Sequence, residues 1–164
     1  MGFPLVDARP TPPVTFVLHH VGQLVEAIAT AAAHLVGRFG FIIESPVIED
    51  PVQTAFVQFL RQPGAPYWME LVSPNGPESK LVRGLRKGGG LHHLCYEVDE
   101  IERACEHLRA RGMLPLAEPV PAVAFPGRRI CWLMDDANSL VELVERKNGP
   151  LSLASLSPGQ EQSR

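Results

Sequence analysis

The chain has 164 residues, 45% of them hydrophobic and 20% charged, with a net charge of −3. A chain of this length buries roughly 70% of its unfolded surface, enough for a real core without staples. The charge excludes a generic nucleic-acid binder, which needs a basic face, and no apolar run approaches the ~18 residues of a membrane span.

Taken in order, the Pro-rich residues 1–13 read as a tail with no signal-peptide pattern. Strand formers occupy 14–21, and apolar residues at helical spacing follow over about 24–38. Alanines at 27, 29 and 31–33 suggest that this helix is buried on two sides. Strands are predicted at about 40–45, 52–61 and 66–73. Between Pro74 and Gly90 lie a short amphipathic helix, Ser79–Lys87, and a Gly88-Gly89-Gly90 hinge. A strand is expected at 91–98, with Asp99 as the cap of a helix over 99–111 that ends at Gly112. Strands at 113–118, 128–134 and 139–145 follow. Residues 147–164, rich in Ser, Pro, Gly and Gln, read as a second tail.

The middle of the chain is a repeat. Shifted by 73 residues, 18–38 and 91–111 share nine identities in 21 positions, where composition alone gives about one or two. His19 and His20 meet His92 and His93. A shift of 72 aligns Glu70-Leu71-Val72 with Glu142-Leu143-Val144. The sequence therefore predicts an α+β fold over 14–146. It comprises two βαβββ modules, about 14–73 and 91–146, joined by the linker 74–90.

Chemistry concentrates at the repeat-equivalent positions. Glu70 and Glu142 each sit inside an otherwise apolar strand, where an ionised carboxylate is costly unless paired or bound to metal. A lone strand histidine is ordinarily a packed core residue, and a lone strand glutamate ordinarily faces water. Two matching pairs instead point to two imidazoles and two carboxylates around one divalent cation. Alternation does not choose between His19 and His20, or between His92 and His93. The three cysteines, Cys95, Cys105 and Cys131, are odd in number and form no CxxC. They fit a reduced, cytoplasmic chain as small hydrophobes. His34 and His107 are expected as partly exposed structural residues. Lys80, Arg83, Arg86 and Lys87, with Arg128 and Arg129, form basic spots that could meet a phosphate or carboxylate. Trp68, Trp132, Tyr67, Tyr96, Phe56 and Phe59 are expected to pack the sheets.

The runs Leu18-His19-His20-Val21-Gly22, Leu91-His92-His93-Leu94-Cys95-Tyr96-Glu97-Val98 and Val141-Glu142-Leu143-Val144-Glu145 resemble the vicinal oxygen chelate superfamily. Within it the likeness is greatest to methylmalonyl-CoA epimerases and glyoxalase-like proteins. The resemblance covers roughly 15–146 and implies one curled mixed sheet around a single divalent metal (Co, Ni, Mn, Zn or Fe). It places the ligands on His20, Glu70, His93 and Glu142, with Glu142 and Glu70 as the acid–base pair. It implies a metal-dependent isomerase, epimerase or lyase that enolises a small acyl thioester, such as an acyl-CoA, or a 2-oxo acid. A homodimer is expected by analogy. Two features depart from the epimerases: Glu70 stands where they often carry Gln, and Thr54 stands where they carry a second catalytic Glu. The alternatives are a metal-free, antibiotic-sequestering protein of the same fold and an Fe(II) dioxygenase using His20, His93 and Glu142. Glu70 would fill a position that O₂ chemistry needs open.

Overall fold

The computed structural model describes residues 13–147. Apart from Pro13 and Lys147, both expected tails lie outside that range. The first module comprises β1 (Val17–Leu24), α1 (Ile28–Phe39), β2 (Ile42–Ile43), β3 (Ile48–Asp50), β4 (Ala55–Arg61) and β5 (Trp68–Pro74). After α2 (Val82–Arg86), the second comprises β6 (Gly90–Val98), α3 (Ile101–Arg109), β7 (Leu114–Pro115), β8 (Val120–Pro121), β9 (Arg129–Met134) and β10 (Leu140–Glu145).

The strands form one ten-stranded mixed sheet in the order β2-β4-β5-β1-β6-β10-β9-β7, with β3 on β4 and β8 on β9. At its centre β1 and β6 run antiparallel. Each is flanked by the last strand of its own module, β5 beside β1 and β10 beside β6, both parallel. The order reads alike from either edge, which is the structural form of the sequence repeat.

The helices decide which side chains face outward. Ile28 and Ala32 of α1 pack with Leu60 and Leu71. Ile101 and Ala104 of α3 pack with Cys131, Leu133 and Leu143. Because strand side chains alternate, Leu71 and Leu143 facing the helices turn Glu70, Val72, Glu142 and Val144 to the other face. That inner face carries Val57, Phe59, Val72, Phe125, Ile130 and Val144 as its apolar lining.

Several expected elements differ. The first helix begins at Ile28, since β1 stays extended to Leu24, and it is not buried on two sides. Only Ile28 and Ala32 are buried, while Val36 and Phe39 are exposed. Gly40 closes it in the left-handed conformation, φ 68°, its N–H donating to the Val36 carbonyl and the Phe41 N–H to that of Leu35. Asp99 is not a helix cap. Arg146 Nη1 donates to its Oδ1 at 3.1 Å, and α3 starts after Glu100 with no side-chain cap. The strand expected from 52 begins at Ala55, because Asp50 Oδ1 accepts from the Val52 and Gln53 N–H groups at 2.9 Å each and turns the chain there. Thr54 completes that turn at φ 57°. The strand expected over 113–118 shrinks to Leu114–Pro115 in a proline-rich stretch that cannot donate a full ladder.

Candidate metal centre

Two β-bulges bring four histidines to one face. Along the β1–β6 ladder Leu18 pairs with Tyr96 and His20 with Cys95, so His19 is an extra residue on β1. Further on, Gly22 pairs with His93 and Gln23 with Leu91, so His92 is an extra residue on β6. A bulge re-aims its side chain, and here each bulged histidine lies beside its neighbour on the inner face. This resolves the choice that alternation left open. His20 and His93 point into the centre, and His19 and His92 stand behind them.

The four atoms expected to converge do so. His20 Nε2 lies 3.2 Å from Glu142 Oε2 and 3.5 Å from Glu70 Oε2. His93 Nε2 lies 3.2 Å from Glu70 Oε2 and 3.5 Å from Glu142 Oε2. The two Nε2 atoms are 3.0 Å apart. Neighbouring ligands about 2.0–2.2 Å from an ion stand about 2.8–3.6 Å from one another in octahedral or tetrahedral arrangements, so these His–Glu and His–His separations fit a divalent cation. His20, Glu70 and His93 form one possible ligand group among the described residues, and His19, His20 and Cys95 form another. Burial pushes the Cys95 thiol well up, aided by Glu142, so it stays protonated and is the poorer donor.

Electrostatics follow from this packing. Burial pulls the His93 ring down, but hydrogen bonds that its N–H donates to the Glu142 and Glu70 carboxylates outweigh it and hold the ring at about 9. His20 is raised in the same way, against burial, by Glu70 and Glu142. Burial pushes both carboxyls up, yet the two imidazoles hold Glu70 down at about 2 and Glu142 lower still. His19 is lowered to about 3 and His92 to about 4, chiefly by burial and then by the adjacent ring. The centre therefore holds two ionised carboxylates, two imidazoles ready to carry positive charge and two neutral supporting imidazoles.

Glu70, His93 and Glu142 line a cavity of about 480 Å³. Its wall is mostly apolar, from Val57, Val72, Val120, Phe125, Ile130 and Leu140. Lys80, Asp50, Glu118 and Gln53 are its polar contributors away from the centre. Trp132 lines it as well and packs on His93 with ring centroids 4.8 Å apart. Trp68 packs on His19 at 4.8 Å, and Phe59 on His20 at 5.4 Å. Phe125, which carried no signal in the sequence, packs on His19 at 5.2 Å.

Of the basic residues, Lys80 lines the cavity, whereas Arg83, Arg86 and Lys87 are exposed on a solvated face. Arg129 is engaged by Glu102 and Glu145, and Arg128 donates to the Glu145 carbonyl, so neither is a free anion-binding group. Thr54 does not line the cavity. Its Oγ1 accepts from the Lys80 N–H at 3.1 Å and lies 3.3 Å from Ser79 Oγ. His34 is exposed, and His107 is half-buried against Phe16.

A curled sheet of two βαβββ units with this paired donor set defines a class. Residues 19–132 match the family model of the Glyoxalase/Bleomycin resistance protein/Dioxygenase superfamily. The chain belongs to that superfamily, the vicinal oxygen chelate proteins. The ethylmalonyl-CoA/methylmalonyl-CoA epimerase of Cereibacter sphaeroides is 32% identical over 132 residues, covering 78% of this chain and 96% of its own length. Human mitochondrial methylmalonyl-CoA epimerase is 33% identical over 134 residues, covering 78% and 73%. The crystal structure of methylmalonyl-CoA epimerase from Mycobacterium tuberculosis superposes with a TM-score of 0.71 at 26% identity, over 79% of this chain and 87% of that one. No helix among the described residues is long and apolar enough to cross a membrane.

Proposed function

We propose that this chain is a divalent-metal-dependent isomerase that epimerises an acyl-CoA at the carbon next to the thioester carbonyl. The observation that carries the proposal is the convergence of His20, Glu70, His93 and Glu142, three of which, Glu70, His93 and Glu142, line an apolar cavity of about 480 Å³. The names of the relatives supply the substrate class. A divalent ion held by these four residues supplies Lewis-acid polarisation of a substrate carbonyl, which acidifies the neighbouring C–H.

The chain's own residues do the remaining work. Glu142 and Glu70 offer carboxylate oxygens that can take the α-proton on the metal side. Inversion requires that a proton come back on the opposite face of the planar enolate. With Thr54 off the cavity wall, Asp50 is the other buried carboxylate on that wall; its protonated form is assigned this return, and its ionised form takes the α-proton in the reverse direction. The apolar lining keeps bulk water from exchanging with the enolate. Lys80 is the cavity's cation and can meet a substrate carboxylate or phosphate.

The test is metal loading followed by exchange. Metal-free protein is reloaded with Co²⁺, Ni²⁺, Mn²⁺, Zn²⁺ or Fe²⁺, desalted and analysed for retained metal. Methylmalonyl-CoA or ethylmalonyl-CoA is then added in D₂O, and loss of the α-proton signal and change of configuration are followed. Retained metal with α-exchange and inversion is the expected result. Retained metal without exchange on either thioester overturns the isomerase reading, and no retained metal leaves the metal-free sequestering protein of this fold. Oxygen uptake by the Fe²⁺ form would point to the dioxygenase alternative.

A further inference from the structure

His19 and His92 are buried or half-buried imidazoles that the reaction above does not use, yet each sits in its own β-bulge at repeat-equivalent positions. His19 Nδ1 is 2.7 Å from His20 Nδ1, and His92 Nδ1 is 2.8 Å from His93 Nδ1. The ring planes stand at 75° in the first pair and 85° in the second. Two insertions that each set one imidazole nitrogen on another, with nearly the same geometry, are a built feature.

The direction of each hydrogen bond is fixed by what the front histidine must do. To offer its Nε2 lone pair to a cation, His20 must carry its proton on Nδ1, and so must His93. As imidazolium, either ring also carries a proton on Nδ1. In both states the Nδ1–H donates backwards, so the rear ring must accept through Nδ1 and hold its own proton on Nε2. The surroundings of His19 agree. Its Nε2 is buried with no hydrogen-bond partner among the described residues, and the ring lies against Trp68 and Phe125. An N–H there meets aromatic rings.

We propose that His19 and His92 are positioning residues that lock His20 and His93 in the Nε2-donating tautomer and orientation. The proposal rests on the metal reading of the centre. A neutral imidazole suits this task because the centre already holds two carboxylates. A carboxylate behind each ring would add buried negative charge that a single divalent ion cannot balance.

The experiment compares Co²⁺ binding and the Co²⁺ ligand-field spectrum in the wild type, His19→Ala, His92→Ala, His19→Asn and His92→Asn. Two-dimensional ¹H–¹⁵N correlation spectra of the Zn²⁺-loaded wild type report which ring nitrogen of each histidine is protonated. Removing the acceptor leaves a buried Nδ1–H unsatisfied, so each alanine variant is expected to weaken Co²⁺ binding about 10–100-fold and alter the spectrum. An asparagine carbonyl can accept the same proton, so the asparagine variants are expected to recover most of the affinity. His20 and His93 are expected protonated on Nδ1, and His19 and His92 on Nε2. Tight Co²⁺ binding in the wild type with unchanged affinity in both alanine variants overturns the proposal while sparing the metal reading. So does Nδ1 protonation of His19 and His92 in the Zn²⁺ form, which needs no variant to fold. Failure of the wild type to bind Co²⁺ overturns both.

Discussion

Gly22 lies directly across the central ladder from His93, and the imidazole fills the space a side chain at Gly22 would need. A Cβ on Gly22 would stand 2.1 Å from His93 Cε1 and 2.3 Å from its Nδ1. The ring is held between Glu70, Glu142 and Trp132 and has little room to yield. Gly22→Ala should therefore displace His93 from the centre. The expected outcome is loss of tight metal binding together with destabilisation of about 1–3 kcal/mol. Metal analysis after desalting and denaturant unfolding check the two parts. A variant that keeps both metal and stability would show that the ring is free to move.

The repeat made half of this site legible in advance. Glu70 and Glu142 stood out because an ionisable residue recurred inside two matching apolar strands. The choice of histidine was legible only through the family resemblance, because strict alternation sends one member of each pair outward and only the bulges turn both inward. A bulge is set by the pairing of β1 with β6, which residues adjacent in sequence do not encode. The same limit applied at Asp99, whose partner Arg146 lies 47 residues away. It applied at α1 too, where a run of alanines fitted a buried helix but met the sheet on one side only. Asp50 and Glu49 lie close to Thr54 in sequence, but only the turn at 50–54 places Asp50 on the cavity wall and takes Thr54 off it.

The two glutamates are predicted to differ under the same change. Epimerases resembling this chain often carry Gln at the position of Glu70, and an amide oxygen there still offers a donor atom. Glu70→Gln is expected to retain metal and a measurable rate of α-proton exchange. Glu142→Gln removes the carboxylate that the resemblance leaves in common, and its exchange rate is expected to fall by about 10² or more. Exchange followed by NMR, at metal concentrations that saturate each variant, separates the effects. Equal losses in the two variants would show that both carboxylates take part in proton transfer.

Proton linkage gives a third prediction. Without metal, His93 is held at about 9 against an ordinary 6.5, so its contribution to stability is fully present below pH 6.5 and is lost as the pH rises through about 9. Glu70 is held at about 2 against 4.5, so its contribution is present above pH 4.5 and is lost as the pH falls through about 2. Metal-free protein should therefore lose thermal stability between neutral pH and pH 9. Metal displaces the imidazole protons, so loading near pH 7 should release protons and flatten that loss. Thermal unfolding with and without metal across this range checks the slope. Calorimetric titration in two buffers of different ionisation enthalpy counts the protons. A metal-free protein that is equally stable at pH 7 and pH 9 would contradict the ionised pairing in the centre.

Asp50→Asn tests the second proton site without disturbing the turn. The amide oxygen can still accept from the Val52 and Gln53 N–H groups, which Asp50 Oδ1 binds at 2.9 Å each, while the charge and the proton-accepting oxygen are lost. Glu49 is not an alternative, since it is exposed and hydrogen-bonds Asn75. If Asp50 returns the proton on the face away from the metal, the variant should still exchange the α-proton of one epimer through the glutamates. It should convert that epimer to the other about 10²-fold more slowly than wild type. Deuterium incorporation and inversion, measured in the same reaction, separate the two events. Equal slowing of exchange and inversion would place Asp50 in substrate binding. Undiminished inversion would assign the return to another cavity group, of which Glu118 is the remaining carboxylate.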